Sequence, residues 1–399
     1  MATLVIRLRP IRAAVALVLY AAAGGVWGAT GDPLQLRLDY QMTRDSNFFR
    51  LPNEVPPSAE VIQVLSAGLV LDKTLSRQNV RVQLSASTYR YQQHRTLDFD
   101  GFNFQGDWRW QIGNDWSGIA SYGQSDTAGS YEEVQSQNLR PYKIRQRTRS
   151  FNANYKLGAV TSLWATLSEY QRDSSLSTSD RVDNSSNEVG VRFYSGSGSY
   201  TDLSYRAADT TYPNQQSVSG TLVDNGYKDR EIRASTHWIY SGKTSVDGWL
   251  GLYMREHNQL TERDVSGLQG RIAANWAATG HVFLTGELWR TLSPIEQLTA
   301  NYTRNRGVGL TAIWAVSSMV TVRGRVSREE REWQGDPGYV LSSGPRRNDT
   351  LIAPELAVDY HPWRNGGLSL KYQAPERRSN YPSTGYEDSA WIFSAFGQF

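Results

Sequence analysis

Basic side chains recur at alternate positions along this 399-residue chain. Arg37, Arg81, Arg109, Arg192, Arg206, Arg233, Arg271, Arg323, Arg325 and Lys371 each sit in a run where polar and apolar residues take turns. A guanidinium group grips a carboxylate or phosphate through two parallel hydrogen bonds, so a row of them on one face makes a path for anions. Asp39, Asp107, Asp202, Asp247, Glu287 and Asp359 fall on the same parity, leaving a basic excess. Tyr89, Trp164, Tyr194, Trp249 and Tyr253 share that face and offer flat platforms for sugar rings. The same arginines also suit a plainer task, pairing with acids on neighbouring strands to form a ladder. Spacing alone leaves both readings open.

Other reactive residues assemble into no catalytic set. The sequence has no phosphate-cradling glycine loop, no HExxH and no Gly-x-Ser-x-Gly elbow. Its five histidines are scattered; His94 lies near Asp98 and Asp100, and His257 stands apart. Solvated loop positions account for both. Asp45 and Asn47 carry oxygen ligands of the kind calcium takes, but a capped turn explains them as well. The absence of cysteine excludes thiolate chemistry and cysteine metal sites. We therefore expect no catalytic residue, no metal and no cofactor. A formal charge of +3 is too small to argue for nucleic acid.

The elements that position these residues are strands. Leu34, Leu36, Leu38, Tyr40 and Met42 interleave with Gln35, Arg37, Asp39, Gln41 and Thr43. The pattern returns at intervals down to Leu368–Tyr372, and bilayer-crossing strands need about 9–11 residues. The two kinds of connection alternate. Tight turns such as 113–115, 196–198 and 241–243 are followed by long polar segments such as 45–60, 127–144, 210–225 and 334–348. Outer-membrane barrels separate short periplasmic turns from long outside loops in this way. Trp110, Tyr155, Phe193, Trp238, Tyr240, Trp276, Trp314 and Tyr360 sit on the outward parity at short-turn ends, where an aromatic girdle belongs. A mean hydropathy of −0.53 does not oppose this, because only every second residue of such a strand meets lipid.

The chain ends Trp391, Ile392, Phe393, Ser394, Ala395, Phe396, Gly397, Gln398, Phe399. Its outward set, including Trp391, Phe393 and Phe399, suits a closing strand and a terminal signal for barrel-assembly machinery. At the other end, Arg7, Arg9 and Arg12 precede an apolar stretch from Ala13 to Ala23. Residues 1–28 thus read as a cleavable signal peptide. The expected fold is all-β: one transmembrane antiparallel outer-membrane barrel over residues 29–399, with about 18 strands (16–18). Its third outside loop, 127–144, carries Glu132, Glu133, Arg140 and Lys143 and is the candidate constriction loop.

Residues 44–52 read Arg-Asp-Ser-Asn-Phe-Phe-Arg-Leu-Pro; Leu97-Asp98-Phe99, Tyr212-Pro213-Asn214, Asp224-Asn225-Gly226-Tyr227 and Asp264-Val265-Ser266-Gly267-Leu268 follow. Together these resemble the exosortase-associated exopolysaccharide outer-membrane family, the EpsL-type barrels, over the whole mature chain. Phe48 stands where that pattern has Leu. The resemblance implies passage of an exopolysaccharide chain from periplasm to surface, guided by luminal arginines and aromatics. Its partners would be periplasmic and inner-membrane polysaccharide export components, with lipid and lipopolysaccharide around the wall. Two other expectations stand beside it: a general diffusion porin, and a barrel hydrolase using His94 and His257.

Overall fold

Side chains on a strand alternate between faces, so a closed sheet sorts this sequence into an outside and an inside. The computed structural model describes residues 33–132, 140–176, 181–214, 216–218, 221–297, 300–334, 346–381 and 383–399. The expected signal peptide lies outside these. Eighteen strands form the wall: β1 (Leu34–Asp45), β2 (Glu60–Leu75), β3 (Gln78–Tyr91), β4 (Phe99–Ile112), β5 (Trp116–Ala128) and β6 (Lys143–Lys156). Next come β7 (Thr161–Ser174), β8 (Val182–Tyr194), β9 (Tyr200–Thr211), β10 (Tyr227–Ser241), β11 (Thr244–His257) and β12 (Val265–Ala277). The last are β13 (Val282–Gln297), β14 (Ala300–Ala315), β15 (Val320–Gln334), β16 (Asn348–Trp363), β17 (Gly366–Gln373) and β18 (Ala390–Gln398).

Each strand pairs antiparallel with the next, and β1 pairs with β18 from Arg37↔Gln398 to Asp45↔Ala390. The terminal Phe399 belongs to this seam. Its carbonyl accepts from Leu36 N at 2.7 Å and its N–H donates to Leu36 O at 2.8 Å. Closure gives every strand a neighbour on both sides, which is what hydrocarbon demands of strands.

Register assigns the faces. Leu38↔Gly397, Tyr40↔Ala395 and Met42↔Phe393 lie outside, whereas Asp39↔Phe396 and Gln41↔Ser394 lie inside. The outward set forms an exposed apolar band from Leu69 and Leu84 through Ile232, Leu250 and Leu310 to Trp391. Phe193, Trp238, Tyr240, Trp276, Trp314 and Tyr360 are exposed at its short-turn edge. Trp110 differs: it is buried, stacked on Phe151 at 6.0 Å. Gly118 makes room for it, since a Cβ there would come within 2.5 Å of the Trp110 ring.

The turns at one end are short, as between β2 and β3, where Ser76 takes φ 55°. The other end carries the long connections, two of them with 3-10 turns at Arg95–Leu97 and Thr261–Arg263. One connection at this end is short, β13 reaching Gln297 and β14 starting at Ala300.

Candidate functional site: the lumen wall and its mouth

All ten candidate cations fall on the inward parity, and eight have a carboxylate partner. Arg37 meets Asp39 at 2.8 Å, Arg192 meets Asp202 at 2.6 Å, and Arg233 meets Glu231 at 2.7 Å. Arg271 lies 2.9 Å and Arg325 3.5 Å from the two oxygens of Glu287, while Arg323 lies 2.9 Å from Asp359. Lys371 reaches Glu355 at 3.6 Å and Arg81 reaches Asp72 at 3.9 Å. Arg109 and Arg206 make no ion pair among the described residues. The basic excess read from the sequence shrinks here. Asp72, Glu231 and Glu355 share the inner face with the acids already counted, and the ladder takes them up. Arg255 and Arg331 were missed by the sequence reading, although each continues the parity of Tyr253 or Arg325.

Three of the five candidate aromatics border open space. Trp164, Tyr194 and Trp249, with Asn152, Asn154, Arg192 and Arg233, line a cavity of about 510 Å³ in the inner wall. Gly190 lets Trp164 lie flat, because a Cβ there would meet the indole at 2.6 Å. The Arg233 guanidinium lies 4.3 Å from the Trp249 ring centre. The other two are committed to packing. Tyr89 stacks on Phe99 at 4.3 Å, and Tyr253 is 8% exposed with its hydroxyl donating to Asp229 at 2.8 Å.

A buried knot sits at the mouth. Phe49, Leu51, Tyr91, Leu97, Phe99 and Tyr131 form one apolar cluster, and Phe49 has no exposed surface. Phe48 packs edge-on against Phe49 at 4.9 Å and Tyr131 at 5.1 Å. Asn47 cross-braces its own loop: its Nδ2 donates to Leu51 O and its Oδ1 accepts from Leu51 N, both at 2.9 Å. Arg50 joins Asp45 at 3.0 Å to Asp388 at 3.1 Å. Asp45 and Asn47 are therefore engaged in a capped turn. Asp388 is buried beside Asp45, and burial and that second carboxylate push its pKa up to about 6 against the pull of Arg50.

Glu132, four residues after β5, reaches toward the far wall of the bore. Glu132 accepts from Arg331 on β15 at 2.8 Å, and its carbonyl accepts from Arg377 at 3.0 Å. In an 18-strand ring β5 and β15 stand eight strands apart, close to opposite walls. A cavity of about 290 Å³ next to this bridge is lined by Glu132, Arg325 and Glu355. Of the remaining constriction candidates, Glu133 lies outside the described residues and Arg140 is exposed. Lys143 does not face the bore; it holds Asp126 at 2.7 Å on the parity of the outer wall.

The histidines do not form a shared site. His94 binds Glu60 at 2.7 Å, not Asp98 or Asp100, and Glu60 also accepts from the backbone N–H groups of Gln92, Gln93 and His94. His257 is tied to Asp264, which accepts its backbone N–H at 2.7 Å.

An antiparallel ring of eighteen strands, apolar outside and charged inside, defines an outer-membrane β-barrel, located in the outer membrane of a Gram-negative bacterium. Solved structures of Pseudomonas aeruginosa proteins share this fold. OccK1 (OpdK) matches with a TM-score of 0.55 at 11% identity, over 92% of this chain and 99% of that one. OccK2 (OpdF), in complex with glucuronate, gives 0.54 at 12% identity over 92% and 98%. OprD gives 0.51 at 10% identity over 92% and 95%. At such identities the likeness is one of fold. No protein-family model and no curated protein sequence matches the chain.

Proposed function

We propose that this barrel is a non-catalytic diffusion channel that admits small anionic solutes, carboxylates above all, across the outer membrane. The observation that carries this reading is the bridged mouth above a laddered wall. Glu132 and Arg331 narrow the entrance to small solutes, and the arginines below are held by carboxylates that an entering carboxylate can replace. Each exchange trades one charge-assisted pair for another, so no site traps the solute and passage remains multi-site. Arg109 and Arg206 make no ion pair among the described residues, although Arg206 stands between Glu188 and Glu231 in register, and both add positive charge to the wall. Barrels of similar fold have been crystallised with vanillate and with glucuronate, both small carboxylates. The test is a planar-bilayer reversal potential with potassium glucuronate. Anion preference, weakened in Arg109→Gln/Arg206→Gln, is expected; cation preference in the parent chain would overturn the proposal.

A second reading rests on the EpsL-type resemblance and on the Trp164–Trp249 cavity, whose indoles and asparagines suit sugar rings. Here the lumen guides an exopolysaccharide outward, fed by periplasmic and inner-membrane export components, and the mouth knot must open for the polymer. Deleting the gene should then trap polymer in the periplasm. Normal surface polymer in the deletion strain removes this reading.

A further inference from the structure

On the outer wall, Arg290 of β13 stands directly opposite Arg306 of β14. Like charges paired across strands repel, and an arginine facing lipid is tolerated only near an interface. Arg306 and Arg304 share a single carboxylate, Glu332. Arg290 is exposed and makes no ion pair among the described residues. Glu330, directly opposite Arg306, is taken by Arg328 at 3.0 Å, so four guanidinium groups share two acids, a deficit that a multivalent anion would fill.

Beside these arginines a groove of about 830 Å³ runs across the lipid-facing surface from Thr201 on β9 to Arg306. Ala234, Gly248 and Gly270 form its floor because they carry almost no side chain, and Leu250, Ile272 and Leu288 form its sides. Five strand-to-strand steps of ~4.8 Å give it a length of roughly 24 Å.

The height of this site follows from the ladder. Strands β12 and β13 pair only from Gly270↔Arg290 to Ala277↔Phe283. Above that level Val265–Gln269 and Thr291–Gln297 are not paired with each other, and one bridge is Gln269 Oε1 to Leu292 N at 3.5 Å. Unpaired backbone cannot face hydrocarbon, so the head-group layer begins at Gly270 and Arg290. Arg306 also lies eight residues above Trp314 of the aromatic girdle. That is roughly 20 Å for tilted strands, near the top of the ~25 Å apolar band.

We propose that this wall docks a phosphate-bearing acyl lipid of the outer leaflet, its phosphate between Arg290 and Arg306 and one acyl chain in the Gly270 groove. The cations sit at head-group height and the groove leads from them into the apolar band. A free anion would leave the groove unused.

Native mass spectrometry of the full-length barrel with diphosphoryl lipid A tests this, heat-modifiable mobility verifying the fold of each variant. The parent should retain the lipid, and dephosphorylated lipid A should be retained about tenfold less, the loss of one charge-assisted contact. Arg290→Gln/Arg306→Gln should match that loss, and Ala234→Phe, which fills the floor, should also reduce retention. Arg149→Gln, an outward arginine paired with Glu169 at 3.0 Å, should change nothing. Equal retention by Arg290→Gln/Arg306→Gln, an equal loss in Arg149→Gln, or displacement of the lipid by inorganic phosphate at equal concentration would each overturn the site. If the double variant does not fold, the dephosphorylated lipid on the parent chain and Ala234→Phe decide.

Discussion

At the mouth, Phe49 is wholly enclosed by aromatic rings from three separate outer connections. At the lower wall, Arg37 and Asp39 are also in contact, yet their side chains stay 50% and 37% exposed. Both regions hold residues in place, but by different physics. The mouth depends on burial, which is lost with the atoms removed. The wall depends on ion pairs in water, which solvent and salt can replace at little cost. A closure built from one and a passage built from the other can therefore be altered separately.

The largest separation is expected from Phe49→Ala. Emptying a fully buried aromatic position costs about 3–5 kcal/mol, and that cost falls on the knot because the barrel ladder does not pass through Phe49. Single-channel conductance should rise and the outer connections should become protease-sensitive, while heat-modifiable mobility stays that of a closed barrel. A collapse of the barrel itself would show that mouth and wall are one cooperative unit.

Glu132→Gln comes next. It removes the charge from a half-buried bridge between opposite walls, a loss of about 1.5–3 kcal/mol for a hydrogen bond to a charged group. Conductance should increase less than in Phe49→Ala, without new protease sensitivity. Unchanged conductance would mean that this bridge does not limit flow.

A graded response should follow from pH. Burial beside Asp45 pushes the Asp388 pKa up to about 6 while the knot is packed, from 3.8 for an ordinary aspartate. The packed form therefore binds more protons between those values. Closure is favoured as pH falls through about 6, the gain is complete below about 3.8, and it is lost again as pH rises. Conductance should drop between pH 7 and pH 5, and Asp388→Asn should flatten the step. A drop of the same size in the variant would place the titrating group elsewhere.

Much of the wall was legible because strand alternation is a local property. Leu34 through Thr43 already sort Arg37 and Asp39 inward, and the same parity continues from Arg323 to Arg331. The pairing of those residues was not legible. Arg233 takes Glu231 on its own strand, Arg271 and Arg325 converge on Glu287 from different strands, and register decides each choice. The mouth was read less well. Tyr89 and Tyr253 carry the pattern of platforms but are consumed by packing, since Phe99 and Asp229 arrive from neighbouring strands. The Glu132–Arg331 bridge joins residues 199 positions apart, which no local spacing encodes. The motifs behind the EpsL-type resemblance illustrate the same limit. Asn47, Phe49, Leu97 and Phe99 look like isolated words, yet they meet in one knot and its braces.

The smallest effect is expected at the lower wall. Arg37→Gln breaks a pair in which both side chains reach solvent, and such pairs are worth about 0–1 kcal/mol. Gln keeps most of the stem that lies beside Phe396, from whose ring centre the guanidinium is 5.7 Å distant. Thermal stability should stay within that range, and the small difference should shrink further in high salt as screening shortens. Reversal potential should move slightly toward cations, because Asp39 loses its local partner. A destabilisation as large as that of Phe49→Ala would mean that the exposed ladder holds the barrel as firmly as the buried knot holds the mouth, and the two regions would no longer differ in kind.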